Sequence, residues 1–239
     1  MLKLTKYLKP FIGSILAIIM LLVIQATCDL ALPEYMSNIV NVGIQQNGIE
    51  EAVPLAISET ELNRIMLFVN DKDKKILLDN YEIANKDNLS RTVVDKGVKE
   101  YISNHNDKIY RLSTKDKDEK DKLAKILEKP LVTVAALENK EFSKMSGEES
   151  PMMQLPEGVD IFTAMSNMPE EQVKSMKSSI DEKFSDFQDT IIGQMAVSYI
   201  GDQYKNIGVD TDALRLRYIL FEGSLMVGIA LSSMVATVL

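Results

Sequence analysis

Carboxylates are the side chains with which this sequence could do chemistry, because the other reactive types are nearly absent. The chain has one histidine, His105, and one cysteine, Cys28, whereas a catalytic triad or a zinc site needs several such residues close together. Gly43 and Gly48 have the spacing of a phosphate-binding loop, but Ile and Glu follow where Lys and Ser or Thr are required. The sequence therefore predicts no catalytic, cofactor-binding or metal-binding residues.

Two carboxylates remain as candidates because they lie near or within long apolar segments, Asp29 and Glu222. A charged side chain in a membrane span normally faces a protein interior or water, and it often marks a pathway for a substrate or an ion. The plain alternative places both residues at the outer membrane interface. The acidic groups at 71–73 and 116–119 alternate with Lys and lack the Gly and closing Glu of a calcium loop, so we interpret them as solvated helix faces.

These carboxylates lie beside or within two apolar segments, one at each end of the chain. Residues 11–28 contain no charge and are long enough, at about 27 Å of helix, to cross a bilayer. Residues 218–239 carry only Glu222. The first helix is predicted to continue past Pro33 until Gly43 or Gly48 stops it. A lipoprotein signal with a lipidated Cys28 is an alternative, but Gln-Ala-Thr before the Cys is a poor cleavage context.

The charge distribution predicts the orientation of the two spans. The net charge is −8, yet Lys3, Lys6 and Lys9 precede the first span, so the N-terminus is expected in the cytoplasm. The acidic middle, about 33–217, is then extracellular, and its charge excludes nucleic acid as a partner. We predict a multi-pass protein of the plasma membrane with an interfacial segment at 1–10, a first transmembrane helix with an extension at 11–48, an extracellular insert at 49–209 and a second transmembrane helix at 210–239.

The insert is predicted to be α-rich with some β-structure. Ser58 and Glu61 form a capping box that begins a helix, and residues around 76–78 form a second. Residues 81–83 and 109–112 alternate as strands do and are predicted to pair. A helix opening in the charged run 115–122 is expected to stop at Pro130. A loop follows at 143–158, then one long helix from Pro169 to about Gln203, and Asp210 or Thr211 caps the last helix.

Sequence stretches at both ends resemble one family. The segments LTKYLKPF and DLALPEYMSNIVNVGI resemble the opening of the transmembrane domain of bacterial ABC exporters, the fused permease–ATPase type, especially heterodimeric multidrug-like members of Firmicutes. LPEGVDIFTAMSNMPEEQ and YKNIGVDTDALRLRYIL resemble the end of the extracellular insert found between the first two helices of some of them. The resemblance is weak over 50–146.

The resemblance implies part of a type-IV-like exporter transmembrane domain, without an ATPase domain in this chain. ATP and Mg²⁺ would be bound by the nucleotide-binding domain of a longer parent protein, and the partners would be the remaining transmembrane helices, a second half-transporter, the lipid bilayer and an exported substrate of unknown identity. Because the chain stops within its second apolar run, we expect it to be the N-terminal part of such a protein. The alternatives are a two-span sensor with an extracellular ligand-binding domain, of the chemoreceptor or sensor-kinase type, and a two-span scaffold.

Overall fold

The described part of the chain is mainly helical, with one small sheet, as the spacing of apolar and polar residues predicts. The computed structural model describes residues 11–85, 87–138, 161–184 and 187–238. The chain divides into two units: the helix pair, Met1–Gly48 with Arg215–Leu239, and the domain, Ile49–Leu214. The interfacial segment predicted at 1–10 and the loop predicted at 143–158 lie outside the described residues.

The helix pair consists of two helices that are long and apolar enough to cross a membrane. Helix α1 covers Ile12–Asn38 and continues as a π-helical turn, Ile39–Gln45. Helix α9 covers Thr211–Val238. The first helix therefore passes through Pro33 and persists to the region of Gly43, as predicted, and spans 34 residues or about 51 Å. The hydrophobic core of a bilayer is about 30 Å thick, so the helix is longer than a membrane requires.

The domain begins with short elements around a three-stranded antiparallel sheet. In chain order these are β1 (Ala56–Ser58), α2 (Glu59–Met66), α3 (Asp71–Asp79), β2 (Tyr81–Ile83), α4 (Val93–Asn104) and β3 (Ile109–Leu112). The strand order is β1-β3-β2. Tyr81 pairs with Leu112, which confirms the predicted pairing of those two segments. The Ser58 hydroxyl accepts from the Glu61 N–H, which confirms the predicted cap.

The second half of the domain is helical and closes the core. Its elements are α5 (Lys117–Glu138), α6 (Ile161–Ser166), α7 (Glu170–Phe184) and α8 (Asp189–Asn206). Helix α5 packs along α8. The contact faces are apolar and fully buried, and they include Leu127, Leu131 and Val134 on α5 and Ile192, Ala196 and Ile200 on α8.

Pro130 does not end helix α5, so that prediction is wrong. The helix continues eight residues further, to Glu138. Proline lacks the N–H of a helix interior and normally costs about 3 kcal/mol there. The residues from Pro130 to Val134 are all buried, and burying such side chains stabilises by about 1.5–3 kcal/mol each. Packing against the core therefore outweighs the local preference.

The single helix predicted from Pro169 to Gln203 is also wrong, because the structure has two helices there. Helix α7 ends at Phe184 and α8 begins at Asp189, with Gln188 in an extended conformation before it. The interruption leaves Phe184 buried and sets its ring edge-on to Phe187. The apolar spacing of three and four continues across the interruption, so periodicity alone does not reveal it.

The domain ends in a tight turn that leads into α9. Gly208 has a positive φ of 73°, and the Asp210 carboxylate caps α9 by accepting from the Ala213 N–H. Gly97 of α4 lies directly against this turn: a Cβ at Gly97 would be 2.6 Å from the Val209 Cα and 2.7 Å from the Gly208 carbonyl oxygen. The absence of a side chain at Gly97 therefore permits the contact between α4 and the turn.

Candidate functional site

Asp29 lies on the helix pair and has a partner on the other helix. Its Oδ1 accepts a hydrogen bond of 2.8 Å from the Ser233 hydroxyl. Sequence reasoning did not connect these residues, because 204 positions separate them. A serine on an apolar helix is a weak signal by itself, and only the register of the two helices identifies Ser233 as the partner. A carboxylate bonded in this way joins α1 to α9.

A second contact fixes the register of the two helices. A Cβ at Gly43 would lie 2.8 Å from Cγ1 of Ile219, so the α1 backbone and the Ile219 side chain are in close contact. From Asp29 to Gly43 the chain advances as many residues as it does from Ile219 to Ser233. The helices therefore run antiparallel and side by side over about 21 Å. Each residue of α1 in this stretch has a counterpart at its own level on α9.

Partly buried residues recur at alternating steps of three and four along both helices. This is the spacing of a heptad seam, in which one face of each helix meets its neighbour. On α1 the seam comprises Leu21, Gln25, Cys28, Leu32, Tyr35 and Ile39, and on α9 it comprises Ile219, Glu222, Met226, Ile229, Ser233 and Ala236. Most of the large apolar side chains outside the seam are exposed.

Glu222 lies in this seam and is nearly inaccessible. Its residue is 7% exposed, and its Oε2 is the one buried side-chain oxygen or nitrogen among the described residues that has no hydrogen-bond partner. By the register, its level on α1 is that of Val40, within the π-helical turn Ile39–Gln45. Irregular π-helical turns are frequent at functional sites. The arrangement is thus a candidate interface that contains a buried carboxylate.

The structure does not bring the two candidate carboxylates together. Asp29 and the level of Glu222 are eleven residues apart along α1, or about 16 Å. Only Glu222 lies in the seam, and Asp29 is exposed beside it on a different turn, so the two carboxylates cannot form one acid–base pair or bind one ion together.

The register of the helix pair can be tested by replacing Asp29 and Ser233 with cysteine in a Cys28→Ser background. The two positions already bond side chain to side chain, so we expect a disulfide to form readily under mild oxidation in membranes. A protease then cuts the chain between the two helices. On a non-reducing gel the disulfide-linked protein migrates as one band, whereas the unlinked protein migrates as two fragments. A Glu34→Cys, Ser233→Cys pair is the control, because Glu34 lies more than one turn away from the level of Ser233. Equal cross-linking of both pairs would contradict the register.

The domain contains a partly buried charged cluster that sequence reasoning missed. One nitrogen of Arg64 contacts Oε1 of Glu61 and Oε1 of Glu138, each at 2.6 Å. The Tyr199 hydroxyl lies 2.6 Å from Oε2 of Glu61 and 3.0 Å from Oε2 of Glu138. Burial, followed by the two carboxylates, raises the pKa of Tyr199 well above its ordinary value. The Arg64 guanidinium also lies 4.6 Å from the centre of the Phe162 ring.

This charged cluster joins four helices and leaves its own groups bonded to one another. Its members come from α2, α5, α6 and α8, which are distant in sequence. Since the carboxylates are occupied by Arg64 and Tyr199, the cluster is a means of holding the helices together, and it offers no group for chemistry on a ligand. The capping box at the start of α2 accounts for Glu61 in the sequence. No neighbouring residue indicates that Glu61 also joins α2 to α8 through Tyr199.

Asp95 is a second buried carboxylate with a structural role. It lies in the first turn of α4 and accepts from Ser90, from the Thr92 hydroxyl at 2.8 Å and from Nε of Arg111 at 3.1 Å. Burial raises the pKa of Asp95, but the hydrogen bonds of Ser90 and Thr92 and the charge of Arg111 outweigh it, so the pKa lies below the usual range.

We expect Asp95→Asn to destabilise the domain by about 2 kcal/mol at pH 7, because Arg111 loses its buried counter-charge. The folded pKa is depressed, so this contribution is present above the unfolded pKa and is lost as the pH falls through the folded value. Urea unfolding of both proteins between pH 3 and pH 7 measures it. The difference should shrink below about pH 4, and a difference independent of pH would contradict the assignment.

The remaining candidates are accounted for by local contacts or by solvent. His105 stacks on Tyr101 with ring centres 4.2 Å apart. Asp71 pairs with Lys74, and Asp116 accepts from the Asp118 N–H at the start of α5. A groove of about 490 Å³ between α5 and α8 is lined mainly by side chains of both charges. In the parts of the chain that the structure describes, no three His, Cys, Asp or Glu residues are placed to hold a metal ion.

Comparison with known proteins adds nothing to this geometry. No protein family, no curated protein and no solved structure matches the chain. The function must therefore be argued from the two membrane-length helices, their seam and the domain between them.

Proposed function

We propose that this chain forms the first two transmembrane helices and the extracellular domain of the permease part of an ATP-driven ABC exporter. The observation that carries the proposal is the length of the first helix, 34 residues. A helix that only anchors a domain needs about 20 residues. Beyond Asp29, the further turns of α1 continue to pack against α9. Such continued packing is expected of a helix in a multi-helix assembly.

The outer face of α9 supports the presence of further helices. A Cβ added at Gly223 or at Gly228 would meet no atom within 4 Å, so neither glycine is used in the contact with α1. Small residues allow transmembrane helices to approach closely, and they are enriched where helices pack. Gly228 and Ser232 are one turn apart on an exposed face, which gives another helix room to dock.

The proposal assigns the remaining functions of an exporter to other parts of the assembly. The bilayer surrounds the helices, the acidic domain lies outside the cell, and the N-terminus lies in the cytoplasm. ATP and Mg²⁺ are bound by a nucleotide-binding domain beyond the residues of this chain. The remaining helices and a second half-transporter complete the pathway for the exported substrate.

Photo-cross-linking from position 228 tests the proposal in native membranes. A photoreactive amino acid replaces Gly228, where the structure leaves space, and cross-linked peptides are identified by mass spectrometry. The exporter proposal predicts adducts with transmembrane helices whose polypeptide carries an ATPase domain, in a yield that changes when ATP and vanadate are added. Adducts only with position 228 of a second copy, unchanged by nucleotide, would contradict it and favour the sensor. Met226, in the seam, is the control and should cross-link to α1.

A further inference from the structure

The uncharged parts of the two membrane-length helices do not lie at the same level. On α1 the uncharged run ends at Cys28, immediately before Asp29. On α9 it begins at Gly223, immediately after Glu222, and by the register Gly223 lies at the level of Ile39. The ends of the two runs are therefore offset by eleven residues, or about 16 Å along the helix pair. A bilayer core of about 30 Å cannot match both runs at once.

The two possible bilayer positions differ in the charges that they bury. A bilayer centred on the run of α9 places Asp29 and Glu34 of α1 among acyl chains, and both residues are exposed on the surface of the helix pair. A bilayer centred on the run of α1 buries neither of them. It surrounds residues 11–20, every one of which is exposed in the structure. A charged side chain at the centre of a bilayer costs at least about 2.5–3.5 kcal/mol, and a bilayer centred on the run of α1 avoids this cost for both residues.

We propose that the outer boundary of the bilayer crosses the helix pair at the level of Asp29 and Ser233. The acyl chains then surround α1 from Phe11 to Cys28 and reach α9 only from about Ser233 onward. Phospholipid headgroups lie beside the Asp29–Ser233 hydrogen bond. The part of α9 before Ser233, although it belongs to the apolar segment 218–239, stands outside the bilayer together with the π-helical turn of α1.

This boundary changes the setting of Glu222. The carboxylate lies about 16 Å outside the acyl chains, in the seam between two helices. The exposed apolar side chains above the boundary, Leu220, Phe221 and Leu225, then lie out of reach of the acyl chains. The boundary is independent of the exporter proposal, because a sensor with the same helix pair would have the same one.

Substitutions to lysine at two exposed positions test the boundary in the full protein. Leu16 is 61% exposed and Val227 is 59% exposed, so the two sites are matched in burial. Leu16→Lys places a charge among acyl chains, and we expect the amount of protein resistant to carbonate extraction from membranes to fall at least about tenfold. Val227→Lys places the charge outside the acyl chains, and the amount of extraction-resistant protein should change by less than about twofold. Equal losses for the two variants would overturn the proposal.

A photoreactive lipid gives an independent measurement on the unmodified sequence. The protein is reconstituted in phosphatidylcholine vesicles that contain a lipid with a diazirine in its acyl chain, and adducts are mapped by mass spectrometry. We expect adducts on Leu16 and Ile19 and none above background on Phe221 and Leu225. Adducts on Phe221 or Leu225 in a yield similar to that of Leu16 would overturn the boundary, whatever the outcome of the cross-linking from position 228.

Discussion

Gly97→Ala is expected to destabilise the domain by about 3 kcal/mol, the upper part of the range for overpacking a rigid contact. The added methyl group would lie 2.6 Å from the Val209 Cα and 2.7 Å from the Gly208 carbonyl oxygen. Both are backbone atoms of a turn whose Gly208 has a positive φ, so no side-chain rotation relieves the contact. Urea unfolding of the full chain in detergent, followed by far-ultraviolet circular dichroism, measures the loss.

Gly193→Ala is the matched control. Gly193 also lies inside a helix of the domain, but its nearest neighbour, a carboxylate oxygen of Glu128, is 3.6 Å from the added Cβ. Alanine has a higher helix propensity than glycine, so this variant should gain about 0.5–1 kcal/mol. A Gly97→Ala variant that is as stable as Gly193→Ala would show that α4 and the turn are not in contact as described.

Arg64→Met is expected to cost about 3 kcal/mol, because it leaves two neighbouring carboxylates without their shared cation. Glu61 and Glu138 both bond to the same nitrogen of Arg64. The side chain of Glu138 is 30% exposed and that of Arg64 is 25% exposed. Because both groups are partly hydrated, we expect a loss at the lower end of the range for breaking a buried ion pair. The same unfolding experiment measures it.

Lys74→Met separates this effect from the loss of any surface ion pair. Lys74 pairs with Asp71 at the same spacing of three residues, but the Asp71 side chain is 94% exposed. Exposed ion pairs contribute little to stability, so the free energy of unfolding should hardly change. If Arg64→Met had an effect as small as that of Lys74→Met, the cluster would not join the four helices.

Features set by short-range patterns were predictable from the sequence. Ser58 and Glu61 specify a helix start, alternation specifies the strands at Tyr81 and Ile109, and an uninterrupted apolar run specifies the first membrane-length helix. In each case the residues that decide the structure lie within a few positions of one another, or within a single helix. Nothing distant needs to be known.

Features that depend on distant partners were not predictable. Helix α5 continues through Pro130 because α8 covers that face, and no local pattern carries this information. The roles of Glu61 and Asp29 depend on Tyr199 and Ser233, more than 130 positions away in each case. The interruption between α7 and α8 is hidden by an apolar period that continues across it. The sequence therefore identified the candidate carboxylates, but it did not identify the residues that they contact.

The most direct test of the central claim asks on which side of the membrane the domain lies. Lys72, in α3, is exposed, and a Lys72→Cys variant in a Cys28→Ser background carries a single accessible thiol. Intact cells are treated with a maleimide that cannot cross membranes. If the domain is extracellular between two membrane-crossing helices, labelling is complete without lysis. Labelling that appears only after the cells are permeabilised would place the domain in the cytoplasm and contradict the account.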